Sequence, residues 1–126
     1  MHLTVCLILI DFLLVSSIFI GDVGHTCEEA EDGFQAVQKV IEKSNSANGR
    51  SNYDAILMDF IMPNMDGPTA TREIRALGYT APIFGVTGNG LTTDIAHFMM
   101  CGVDEVLLKP LNVIDFYIAM KKTNPM

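Results

Sequence analysis

At 126 residues, 49% of them hydrophobic, the chain is long enough for one domain with a full apolar core and too apolar for a disordered segment. Fifteen acidic residues against eight basic ones give a net charge of −7, which disfavours direct binding to nucleic acid through charge. Cys6, Cys27 and Cys101 show no C-x-x-C spacing, and His2, His25 and His97 no ligand spacing, which argues against a disulfide framework or a zinc site. Reduced, buried thiols in a cytoplasmic setting and surface or loop histidines are expected instead.

The first element lies in an apolar run. From Leu3 to Ile20 only Thr4, Asp11, Ser16 and Ser17 are polar, and no Lys or Arg precedes them. A membrane span needs about 20 apolar residues and accepts a central Asp only at roughly 2.5–3.5 kcal/mol. A signal peptide would carry a basic start and a small-residue cleavage site, and neither is evident. The run is therefore read as a buried strand, Val5–Ile10, followed by a mostly buried helix from Leu13 to about Gly21, with no membrane insertion.

Further strands are expected at His25–Glu29, Ala55–Met58, Ile83–Val86 and Val106–Leu108. Between them fall helical patterns. After Asp32-Gly33, Phe34, Val37 and Ile41 form a stripe. After Pro68, Ala70, Ile74 and Leu77 form another, with Gly78 as the C-terminal cap. Thr92 or Thr93 can cap a helix that buries Ile95, Phe98 and Met99 and ends at Gly102. Asn112 and Asp115 resemble a capping box opening a last helix through Lys121. Residues 44–52, rich in Ser and Asn, read as a flexible surface loop. After Lys122 only four residues remain, too few for an output domain.

Five strands alternating with helices imply a parallel sheet covered on both faces. Right-handed crossovers send all loops that follow strands to one edge, where ligands of open α/β sheets bind. Asp11 follows the first strand, Asp59 the third, Thr87 the fourth and Lys109 the fifth. The second contributes the acidic run Glu28, Glu29, Glu31 and Asp32. Any one of these alone reads as a solvated loop residue. Together they suit phosphoryl acceptance: a carboxylate nucleophile, a second carboxylate that a hard cation would reconcile with it, an ammonium and a hydroxyl for phosphoryl oxygens. Pro110, after the lysine, stands where a cis peptide would be tolerated and would fix the ammonium's direction.

The segment Tyr53-Asp54-Ala55-Ile56-Leu57-Met58-Asp59, followed by Met62-Pro63-Asn64-Met65-Asp66-Gly67, resembles the acceptor-aspartate region of response-regulator receiver domains. The likeness continues through Val86-Thr87-Gly88-Asn89 and Leu108-Lys109-Pro110, covers Gly24 to Lys122, and is similar to receivers attached to hybrid histidine kinases. It implies a flavodoxin-like, doubly wound five-stranded sheet in the order 2-1-3-4-5. It implies Asp59 as the phosphoacceptor, with Thr87 and Lys109 assisting, and Mg2+ held by Asp11, Asp59 and the backbone carbonyl of Ile61. It also implies a histidine kinase or histidine phosphotransfer protein as partner in a two-component phosphorelay. Such a domain is a signalling module and not an enzyme.

The chain departs from the family in two places. Receivers end their first strand on two acids, whereas here the pair is Asp11-Phe12, so a ring stands where the direct metal ligand usually does. Losing a hard ligand should weaken magnesium at least ~10–100-fold. The helix that follows also looks one turn short and lacks surface charge. Two explanations compete: a degenerate receiver over 1–126 with an atypical 1–23, or some 20 foreign residues, such as a mispredicted exon, joined to a receiver core at 24–122. The second departure is Val106, where receivers often carry a switching aromatic, so coupling is expected through the Thr87–Leu91 loop.

A phosphorylatable module and a phosphorylation-deficient receiver acting as a protein-binding module both remain open at this point. A flavodoxin-like cofactor domain would need its phosphate loop after the first strand, where Leu13-Leu14-Val15 provides none. An Asp-nucleophile hydrolase would need an acid two residues past Asp59, where Ile61 stands.

Overall fold

The computed structural model describes residues 4–8, 26–45, 52–88, 90–109, 111 and 113–123, with backbone alone for 4–8, 26, 27 and 113. Strands β1 (Thr4–Ile8) and β2 (Thr26–Glu29) precede helix α1 (Gly33–Ser44). Then follow β3 (Ala55–Asp59), α2 (Gly67–Ala76), β4 (Ile83–Thr87), α3 (Thr92–Cys101), β5 (Glu105–Leu108) and α4 (Val113–Thr123). All strand pairs are parallel, in the order β2-β1-β3-β4-β5. This is the flavodoxin-like arrangement expected from the sequence, with β1 at the point where strand order reverses.

Every residue of β3 and β4 is buried, as a central parallel strand requires. Their side chains divide by alternation between two cores. Ile56, Met58 and Ile83 join Ala36, Val40, Ala70, Ile74 and Phe98 on the side of α1, α2 and α3. Ala55, Leu57, Phe84 and Val86 join Leu107, Phe116, Ala119 and Met120 on the side of α4. The C-terminal end of α2 is tied down by Arg75, whose guanidinium donates to the carbonyls of Gly102, Tyr79 and Ala81 and to Asp104, at 2.8–2.9 Å. Asp104 in turn accepts from the backbone N–H of Ile83 where β4 begins.

Several local expectations are corrected. The inner stripe of α1 is Gly33, Ala36 and Val40, while Phe34 is 57% exposed and Val37 and Ile41 only half-buried. Small residues face inward because the start of α1 lies directly on the loop after β3. In α2, Ala70 and Ile74 are buried but Leu77 is the exposed C-cap, with Gly78 beyond it at φ 96. Helix α3 starts from Leu91, which offers no side-chain cap, so Thr92 and Thr93 lie inside the helix. Phe98 and Cys101, three apart, take its inner face. Met99 is turned off that stripe and is 45% exposed, and Ile95 is half-buried.

Gly102 caps α3 at φ 117, as expected. His97 is exposed, as expected, and lies on α3. Cys101 is a free, buried thiol with the Arg72 guanidinium 3.2 Å from its sulfur. The expected first helix, most of the Ser/Asn loop and the Asn112 cap fall outside the described residues, as do His2 and His25. Of the side chains of Cys6 and Cys27 nothing is described. Among the described residues no helix is long and apolar enough to cross a membrane.

Candidate functional site

The carboxyl edge of the sheet is built by register. Asp59 is the last residue of β3 and pairs with Val86 of β4; Thr87 is the last residue of β4 and pairs with Leu108 of β5. Two backbone bonds extend these ladders past the strands: Phe60 N–H to the Val86 carbonyl at 3.0 Å, and Lys109 N–H to the Thr87 carbonyl at 2.9 Å. Asp59, Thr87 and Lys109 are thereby carried on adjacent strands at one edge.

The side chains meet there. Lys109 Nζ lies 3.1 Å from Asp59 Oδ1 and 3.2 Å from Oδ2. The pair is largely buried, with side chains 12% and 4% exposed, so the carboxylate trades water for the Lys109 ammonium. Such a pair survives burial because each charge compensates the other, and the ammonium can change partner when a new anion enters. Thr87 is buried at 4% exposure.

Beneath them the loop from Phe60 to Asp66 turns into α2. Asp66 caps that helix, its Oδ1 accepting from Thr69 N–H at 2.9 Å, and Pro68 sits in the first turn, where its missing N–H costs nothing. Gly67 is required by contact: a Cβ there would stand 2.0 Å from the Asp59 carbonyl oxygen and 3.0 Å from the Phe98 ring. The Met-Asp-Gly sequence thus draws the start of α2 against the backbone of the strand end. The Phe60 ring packs edge-on to Phe98 of α3, with centroids 5.2 Å apart.

Other expected site residues fare differently. Asp11 and Phe12 lie outside the described residues, as do Asn89 and Pro110. Ile61 is described, with its side chain 74% exposed in the loop two residues beyond Asp59. Among the described residues no group of three His, Cys, Asp or Glu could hold a metal. The donors that are described, the Asp59 carboxylate and the Ile61 carbonyl, are hard oxygens of the kind magnesium takes. They fit that ion as part of a set that needs a further acid.

The acidic run at the end of β2 disperses. Glu28 turns to Lys43 Nζ at 3.0 Å and the Tyr53 hydroxyl at 2.9 Å, and the Lys43 bond, opposed in part by burial, holds its carboxyl below the usual range. Asp32 caps α1 and also accepts from the side-chain amide of Asn64 at 2.8 Å. That contact with the loop after β3 was not anticipated; the local signal was an Asp-Gly pair opening a helix. Val106 is half-buried in β5 against the α1–α3 core, leaving no aromatic at that position.

Comparison with known proteins agrees with this architecture. The family model for the response regulator receiver domain matches residues 12–121. The chain is similar to a two-component response regulator of Oryza sativa subsp. japonica, 43% identical over 89 residues that make up 71% of this chain and 65% of that protein. It is also similar to the sensor histidine kinase RcsC of Escherichia coli (strain K12), 35% identical over 94 residues, 75% of this chain and 9% of that one. The chain thus spans less than two thirds of either relative. Among solved structures, the receiver domain of a sensor histidine kinase from Pseudomonas aeruginosa PAO1, with a magnesium ion coordinated in its active site cleft, superposes with a TM-score of 0.83. Identity is 28%, and the match covers 100% of both chains.

Proposed function

The chain belongs to the response regulator receiver domain family, and from that premise we propose that it accepts a phosphoryl group on Asp59 from the phosphohistidine of a histidine kinase or histidine phosphotransfer protein. Receiver domains are signalling modules of two-component systems. The finer assignment rests on one observation above others: the buried contact of Lys109 Nζ with both oxygens of Asp59 at the carboxyl edge of the sheet.

In the proposed step an Asp59 carboxylate oxygen forms a bond to phosphorus while the bond from phosphorus to the donor's imidazole nitrogen breaks. The imidazole leaves with the electron pair of that bond. The Lys109 ammonium passes from the carboxylate to a phosphoryl oxygen, a point-charge contact that needs no fixed geometry. The Thr87 hydroxyl donates to a second phosphoryl oxygen. Asp11, Asp59 and the Ile61 carbonyl would hold magnesium, which when bound supplies positive charge between the carboxylates and the incoming group. Residues 1–126 act in this reading as one receiver domain on the cytoplasmic side, with 1–23 its atypical first strand and helix.

Incubation with phosphoramidate and magnesium, followed by borohydride trapping and mass spectrometry, tests the assignment. The adduct is expected on Asp59 and is expected to vanish in Asp59→Asn. A full-yield adduct in that variant overturns the proposal. Wild-type protein that binds magnesium but takes up no phosphoryl group would favour the binding-module reading instead.

A further inference from the structure

The loop from Phe60 to Asp66 links the proposed acceptor to α2 and carries the Ile61 carbonyl. Its end is held by the Asp66 cap and by Gly67 N–H donating to the Phe60 carbonyl at 2.9 Å. Its middle is held from a different element. Asn64 stands at φ 70, the one positive value outside glycine among the described residues, in a region that side chains disfavour and Asn tolerates better than most. Its amide Nδ2 donates to Asp32 Oδ2 at 2.8 Å, while Asp32 Oδ1 accepts from Gln35 N–H at 2.9 Å. One carboxylate therefore uses one oxygen to cap α1 and the other to grip the loop. The next residue presses on the same loop, since a Cβ on Gly33 would stand 2.5 Å from the Met65 carbonyl oxygen. The Gln35 N–H and then the Asn64 amide hold the Asp32 carboxyl below its ordinary range, as two donors to one carboxylate should.

We propose that Asp32 is a positioning residue for phosphoryl transfer, fixing through Asn64 the backbone path of the loop that carries the Ile61 carbonyl. The role presupposes Asp59 as acceptor and magnesium as its ion. A main-chain carbonyl serves as a metal ligand without penalty only if its backbone is ordered beforehand; otherwise binding must also order the loop. Asp32 is half-buried and 27 positions from the acceptor, and in the sequence it stands only as one member of an acidic run.

The test uses the full chain and three changes. Asp32→Ser keeps a capping hydroxyl but has no second oxygen for Asn64. Asn64→Gly relieves the positive φ and removes the amide. The exchange Asp32→Asn with Asn64→Asp rebuilds the bond with donor and acceptor reversed. Magnesium affinity of the unphosphorylated protein, hydrogen-exchange protection of residues 61–65, melting temperature and phosphorylation rate by phosphoramidate are measured for each. Asp32→Ser is expected to weaken magnesium about three- to tenfold, the worth of one hydrogen bond, with lost loop protection and a nearly unchanged melting temperature.

Its rate deficit is expected at limiting magnesium and to close at saturation. The double variant Asp32→Ser with Asn64→Gly should be no worse than the worse single, and the exchange should recover most of the affinity. Unchanged affinity and protection in Asp32→Ser, or fully additive losses in the double variant, overturn the positioning role while leaving Asp59 as acceptor. Wild-type protein without an Asp59 adduct overturns the acceptor reading and the transfer role with it.

Discussion

Replacing Gly67 with alanine tests how tightly the backbone of the proposed acceptor, Asp59, is clamped. The added Cβ would lie 2.0 Å from the Asp59 carbonyl oxygen and 3.0 Å from both the Asp59 carbonyl carbon and the Phe98 ring. Carbon–oxygen contacts ordinarily stop at about 3.3 Å, so the start of α2 and the end of β3 must part by on the order of 1 Å. Neither side yields easily. Phe60 N–H is bonded to the Val86 carbonyl, and Gly67 N–H to the Phe60 carbonyl, so moving either strains a bond within the clamp. Overpacking of this kind costs about 3 kcal/mol, the upper end of the usual range, because the obstacle is backbone and not a movable side chain.

For a domain of this size that is a melting temperature lower by roughly 12 °C. Two controls separate contact from backbone strain. A Cβ on Gly90 meets nothing within 4 Å, and Gly90→Ala should be neutral. Gly78 is equally open but sits at φ 96, so Gly78→Ala should cost only about 1 kcal/mol from its conformation. Thermal and urea melts of the three variants give the ranking, and phosphoramidate uptake should fall furthest in Gly67→Ala. A Gly67→Ala melt within about 1 kcal/mol of wild type would refute the clamp.

Two further outcomes are expected. Glu28, held below the usual range chiefly by Lys43, should stabilise the fold at pH values above the ordinary glutamate value of about 4.3 and lose that contribution as pH falls through its own lower value. Urea melts of wild type and Glu28→Gln should differ by at most about 1 kcal/mol near neutrality and converge as pH falls below the ordinary carboxylate range; a gap that persists in strong acid would assign the effect to packing. Phe12→Asp, restoring the family's acidic pair, should tighten magnesium about tenfold or more and lower the metal-free melting temperature, with the loss regained on adding the ion. Equal magnesium affinities in titrations of the two proteins would mean that Asp11-Phe12 does not correspond to that pair.

What could be read from sequence follows a physical division between contrast and contact. The ends of β3, β4 and β5 were legible because each is an apolar run stopped by one polar residue, and parallel topology then brings Asp59, Thr87 and Lys109 to one edge without further information. The inner face of α1 was not legible from hydrophobic period, which selects Phe34. That face is decided by how near the start of the helix comes to the loop after β3, a distance that admits Gly33 and leaves the phenylalanine outward. Helix α3 likewise takes Leu91 as its N-cap residue, and the capping preference of Thr92 goes unused.

The same division explains why Asp32 passed as one acid among four. A cap needs only the sequence around it, whereas a grip on Asn64 joins residues 32 positions apart and becomes visible only at 2.8 Å. Arg75 is a parallel case, a charge beside the buried Ile74 that turns out to satisfy three carbonyls and an aspartate. In this α/β sheet the groups proposed to react stand at strand ends, where polarity contrasts with the run before it. The groups that hold them come from neighbouring helix caps and loops, where nothing local distinguishes a brace from a solvated charge. Substitutions at the first set should therefore change the chemistry of the site, and those at the second its readiness to bind the ion.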